Sequence, residues 1–243
     1  MILDIYKDAF EYSAKDWKTL ILLGLMCLLS FLLVPAFLIA GYNYRVINNA
    51  VHGIINGNDP LPEFDELIEM FIDGVKVFII QVVYLIVPAI IFIVFVTIAG
   101  ALSGILASAV MIIGSLITFI MGIIACLMAQ MAISHMAYNE CAFSKAFALG
   151  EIKKVIDEIG WLKCIMTYAG LIIISVLIYS AITAIIWIIF TIFGISGAIL
   201  GVNAGGIFIF GALINSLVTM FIVGPYLSIF NARSLGLLYT MQI

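Results

Sequence analysis

Five uncharged apolar stretches, residues 20–42, 77–101, 105–135, 164–193 and 207–231, alternate with segments that carry the charges. One helical crossing of a bilayer uses ~20 apolar residues, so each stretch is long enough to cross once. The connections at 97–104 (TIAGALSG) and 194–206 (GISGAILGVNAGG) carry no charge at all. Residues 77–135 and 164–231 therefore each predict a helical hairpin with a neutral turn. The pattern as a whole predicts an all-α fold, a polytopic transmembrane helical bundle in which residues 1–243 form a single membrane domain.

Each stretch or hairpin is preceded by a segment with one apolar stripe at helical spacing, the mark of a helix lying in the interface plane. The stripes are Ile2, Ile5, Tyr6, Ala9 and Phe10; then Phe64, Leu67, Ile68, Phe71, Ile72 and Val75; then Ile152, Val155, Ile156 and Ile159. Each segment ends in a lysine, Lys18, Lys76 or Lys163, able to reach headgroups from the end of a span. The unit of amphipathic helix, lysine and apolar hairpin thus recurs three times, over about 1–55, 56–140 and 141–243. Its first copy is short, because two full crossings need ~40 residues and 20–42 offers far fewer. Pro35 lies inside that stretch, and proline suits the first turn of a helix rather than its middle. A break there leaves residues 20–33, which at 1.5 Å per residue reach only ~21 Å into a ~30 Å core. The first hairpin is therefore expected to be re-entrant; a single kinked span is the other way to use these residues.

Composition agrees with a lipid solvent: 65% of residues are hydrophobic, 10% are charged, and the mean hydropathy is +1.30, where soluble domains carry about 25% charge. The net charge of −4 and pI near 5.0 provide no basic field for nucleic acid. Cys27, Cys126, Cys141 and Cys164 form no CxxC pair and read as small apolar residues. The charged first 17 residues and the long stretch after them predict no cleavable signal peptide. Arg45, Lys76, Lys145, Lys153, Lys154, Lys163 and Arg233 all fall on the side of the open ends of the two long hairpins and none in an outer turn. The positive-inside rule then places those ends, with both termini, in the cytoplasm of a multi-pass protein of the cell membrane.

Three stretches carry a family resemblance: GYNYRVINNAVHG (41–53), NGNDPLPEFDEL (56–67) and MFIDGVKVFII (70–80). Together they resemble the mostly archaeal integral membrane family catalogued as domain of unknown function 4013, with specific likeness over residues 15–100. The resemblance implies a multi-span protein and brings no catalytic residue with it.

No Asp, Glu, Lys or Arg lies inside the five stretches, which removes the side chains that proton relays, carboxylate ion sites and voltage sensors use. His135 reads as the interfacial end of its helix. Glu63, Asp65, Glu66, Glu69 and Asp73 are dense enough to suggest a hard cation, and Glu66, Glu69 and Asp73 would share one helix face. The plainer reading is a solvated face, and we expect no metal and no cofactor. Glu63, Glu66, Glu69 and Asp73 are instead the candidate contact face for a protein partner on the cytoplasmic side. Gln81, Gln130 and Asn215 are the candidate interior polar lining. Glycine pairs Gly100/Gly104 and Gly197/Gly201 would allow close helix approach, including that of a homo-oligomer.

The leading expectation is a non-enzymatic membrane scaffold or partner-binding protein; the alternative is a transporter or channel component for an uncharged or weakly charged solute. A transport path calls for a cavity reaching Pro35, Gln130 and Asn215, and a scaffold calls for exposed polar faces on the cytoplasmic helices. On a cysteine-free background, cysteines at Ser103 and Asn203 should label from outside and one at Ser144 only from the cytoplasm. Labelling of position 144 in intact cells would reverse the orientation.

Overall fold

The computed structural model describes residues 2–201 and 203–242, and among them every regular element is helical. In chain order these are α1 (Ile2–Ser13), α2 (Trp17–Leu28), α3 (Val34–Val51), α4 (Leu67–Gly100), α5 (Gly104–Tyr138), α6 (Leu149–Ile159), α7 (Trp161–Ile199), α8 (Ala204–Val218) and α9 (Gly224–Tyr239), with short 3₁₀ and π turns between some of them. Four units are long and apolar enough to cross a membrane: α4, α5, α7 and the run Ala204–Tyr239. The chain is thus a multi-pass membrane protein.

Residues 20–42 divide into two helices. α2 closes at Leu28, a 3₁₀ turn covers Ser30–Leu32, and Leu33 takes φ 65° before α3 begins with Pro35 in its first turn. α2 starts behind Asp16, whose carboxylate accepts from the Lys18 and Thr19 amides and from the Thr19 hydroxyl. Those bonds hold the Asp16 carboxyl below the ordinary carboxylate range. The two helices return on each other, since Lys15, just before α2, donates from Nζ to the Asp59 carbonyl at 2.7 Å, just beyond α3. The last span contains a comparable adjustment. Pro225 cannot donate to the Phe221 carbonyl, and the helix widens into a π turn over Thr219–Val223. α2 packs on that turn through Gly24, where a Cβ would lie 2.6 Å from Phe221 Cα.

The three amphipathic segments are used differently from one another. α1 and α6 are separate helices, but their stripes are buried inside the protein: Ile5, Tyr6 and Ala9 in α1, and Ile152, Val155, Ile156 and Ile159 in α6. The middle stripe belongs to no separate helix. Its periodicity runs in phase into the apolar stretch, so residues 67–76 form the first turns of α4, with Leu67, Ile68 and Ile72 exposed.

Burial is concentrated at the charged end of the bundle. α4 buries Met70, Gly74, Val77 and Ile80 and thereafter only Pro88 and Ala99; α5 buries Gly114 and then most residues from Ala125 to Ala137. α7 buries Cys164, Thr167 and Leu171, then only Gly194 and Gly197, and α8 buries Gly211 alone. The outer halves are two-helix legs, each closed internally by an aromatic ring set on a glycine: Phe95 on Gly114, and Phe190 on Gly211. At the charged end, α3 and α4 cross in backbone contact, because a Cβ on Gly41 would fall on the Met70 carbonyl and one on Gly74 on the Phe37 carbonyl. Gly41→Ala or Gly74→Ala should therefore cost about 1–3 kcal/mol through overpacking. Gly122→Ala, which meets open space, should cost nothing; melting in detergent checks all three.

Candidate functional site

Arg233 is the single charge after Lys163, and its side chain is 0% exposed. Its Nε donates to Asp8 Oδ1 at 2.8 Å, its Nη2 pairs with Asp59 Oδ2 at 2.8 Å, and its guanidinium carbon lies 4.5 Å from the centre of the Tyr12 ring. The second oxygen of Asp8 accepts from the Asn56 amide at 2.6 Å. The Tyr12 hydroxyl donates to the Pro60 carbonyl at 2.9 Å, and burial pushes its pKa up to about 12, so the ring over the cation stays neutral. One charge on α9 thereby ties α1 and the loop 52–60 to the C-terminal helix. The sequence pattern counts Arg233 only as a charge on the expected cytoplasmic side and does not reveal this cluster. Its isolation in an otherwise uncharged third of the chain was the available signal.

The acidic segment does not gather around one point. Arg45 takes Asp65 Oδ1 at 2.6 Å and donates to the Glu63, Asp65 and Glu66 carbonyls, which holds Glu66 left-handed at φ 45° and starts α4 only at Leu67. Glu66 therefore caps the helix instead of sharing its face, and its carboxylate lies 3.9 Å from Arg45 Nη2. Asp73 pairs with Lys76 at 2.8 Å. Glu63 and Glu69 stand exposed. Among the described residues no three His, Cys, Asp or Glu side chains are placed to share a metal ion.

The polar residues of the spans are partly brought together. Gln81 of α4 and Gln130 of α5 line a cavity of about 320 Å³ with Asn43 and Tyr44 of α3 and Ser228 and Asn231 of α9. Gln130 and Asn231 also line a neighbouring cavity of about 300 Å³, closed by Tyr168, Leu171 and Ser175 of α7. Ser175 and Asn231 exchange a long 3.4 Å hydrogen bond. Asn43 Oδ1 is buried there without a hydrogen bond among the described residues. Asn215, on α8, lines neither cavity. Sequence reasoning missed Asn43, Ser228 and Asn231, because single amides and hydroxyls near the end of a span read as interfacial.

His135, in the last turn of α5, is buried inside the protein. Its Nδ1 meets the Tyr239 hydroxyl and its Nε2 lies 3.0 Å from Glu151 Oε2, which Lys145 also grips at 2.9 Å. Lys145, and then His135, hold the Glu151 carboxyl below its ordinary range. This chain of contacts fixes α6 to the ends of α5 and α9.

The family model described as "Protein of unknown function (DUF4013)" matches residues 28–182. The chain belongs to this family. No curated protein and no solved structure matches it. The DUF4013 match begins later than the motif likeness, at residue 28, and continues through α5 and α6 into α7. It includes Gln81, Gln130 and Asp59, whereas Asp8 and Arg233 lie outside it.

Asp8→Asn removes one of the two carboxylates on the buried cation and leaves Asp59 to balance it alone, so it should cost about 1.5–3 kcal/mol. Neutralising all three, with Arg233→Met, Asp8→Asn and Asp59→Asn together, should restore most of that loss in Tm. Glu66→Gln with Glu69→Gln should stay within about 0.5 kcal/mol, with no calcium or magnesium response lost.

Proposed function

We propose that the protein is a non-enzymatic scaffold of the cell membrane that presents a cytoplasmic platform to a basic protein partner, with both termini on that side. The observation that carries the reading is the distribution of burial. Nearly all of the buried side chains belong to the charged end, where α1, α3, α6, α9 and the ends of α4, α5 and α7 pack together. The outer halves are thin legs that suffice to hold the platform in lipid. On the platform the acidic carboxylates Glu63 and Glu69 are exposed, as are Lys153, Lys154, Asp157 and Glu158 on α6. α2 and α3 fit a re-entrant hairpin that fills the platform from the membrane side.

The cavity at Gln81 and Gln130 favours a second reading, a transport component for an uncharged solute. It lies near the charged end, though, and the exposed outer legs add nothing to it.

Purification in mild detergent decides between them. The scaffold reading expects a stoichiometric partner that Glu63→Lys with Glu69→Lys releases while Tm holds. A partner retained by that variant, or a glycerol permeability in proteoliposomes well above that of protein-free vesicles, would overturn it.

A further inference from the structure

We infer that the two neighbouring cavities, which share Gln130 and Asn231, form a binding site for a membrane lipid with an uncharged, hydroxyl-bearing head, such as a diacylglycerol. This goes beyond the scaffold reading and does not depend on it. The inner lining supplies amides and hydroxyls and no charge: Asn43, Gln81, Gln130, Ser175, Ser228 and Asn231. One acceptor, Asn43 Oδ1, is buried there without a hydrogen bond among the described residues. Buried polar atoms of this kind are costly unless something polar reaches them. An uncharged lining suits a neutral head, because an anionic or cationic one would be desolvated with no counter-charge.

Depth selects a lipid over a soluble polyol. Gln81, Gln130, Tyr168 and Ser228 each lie five residues inward from the charged or titratable residue that bounds its uncharged stretch, Lys76, His135, Lys163 and Arg233 respectively. At 1.5 Å per residue that is about 7.5 Å, the depth at which the interfacial region gives way to hydrocarbon. Lipid hydroxyls and glycerol backbones sit at that level. The smaller cavity is rimmed by Ile172 and Val176, which are 48% and 59% exposed on the outer face of α7. An acyl chain can leave the site over them into the bilayer, along the apolar outer half of the same helix.

The test uses the full chain in mild detergent micelles doped with dioleoylglycerol, phosphatidylcholine or phosphatidylglycerol, or given free glycerol at the same molar concentration. Dioleoylglycerol should raise Tm saturably, by the order of 5 °C near saturation. The other three should not, and Gln130→Leu with Asn231→Leu should abolish the rise. Because that pair could fail to fold, Val176→Trp, at an exposed rim position, serves as a second variant and should block the rise at unchanged basal Tm. A photoactivatable diacylglycerol should crosslink wild type chiefly within 168–176. An equal rise with phosphatidylcholine, a rise with free glycerol, a rise that survives Val176→Trp, or crosslinks spread evenly over all four spans would each overturn the inference. Glu63→Lys with Glu69→Lys should leave the dioleoylglycerol response intact, so failure of the partner reading and failure of this one are separable.

Discussion

A guanidinium with no exposed surface is the constraint around which the charged end of this protein is built. An arginine cannot shed its charge, so burying Arg233 requires carboxylates, and the chain brings Asp8 from its first helix and Asp59 from the loop after α3. Tyr12 covers the flat face of the cation, and the Asn56 amide takes the remaining oxygen of Asp8. These contacts join residues up to 225 positions apart in sequence. They tie α1 and the loop 52–60, which could each lie separately at the membrane surface, to the end of the last span.

The rest of the architecture follows from having a single packed end. In lipid, apolar side chains gain nothing from hiding, so the outer halves of the hairpins need only close on themselves, and they do so with rings seated on Gly114 and Gly211. At the charged end water returns as a competitor, and there the stripes of α1 and α6 are buried against the spans. The polar layer of Gln81, Gln130, Ser228 and Asn231 lies between these two regimes, just inside the charges and beneath the packed end.

Much of this could be read from the sequence. The absence of charge over 77–135 and 164–231 located both hairpins and their turns, because backbone satisfaction in lipid leaves a helix almost no alternative. Pro35 marked the first turn of α3. Other features were illegible for specific reasons. A helical stripe such as Ile152, Val155, Ile156 and Ile159 looks the same whether lipid or protein will cover it. The stripe at 64–75 was in phase with α4 and so could not announce that the two are one helix. Gln81 and Gln130 share a cavity while Asn215 lies elsewhere, a difference set by helix rotation and not by residue type. Arg233 carried no sign of its partners, since no local spacing links it to Asp8.

The Arg233 cluster, and not the spans, holds the charged end together. Hydrogen exchange on wild type and Arg233→Met in the same detergent tests it most directly. In the variant, α1 and residues 52–60 should lose protection together while residues 85–120 of the α4–α5 hairpin exchange as before. Unchanged protection of α1, or a uniform loss that includes the outer hairpin, would contradict it.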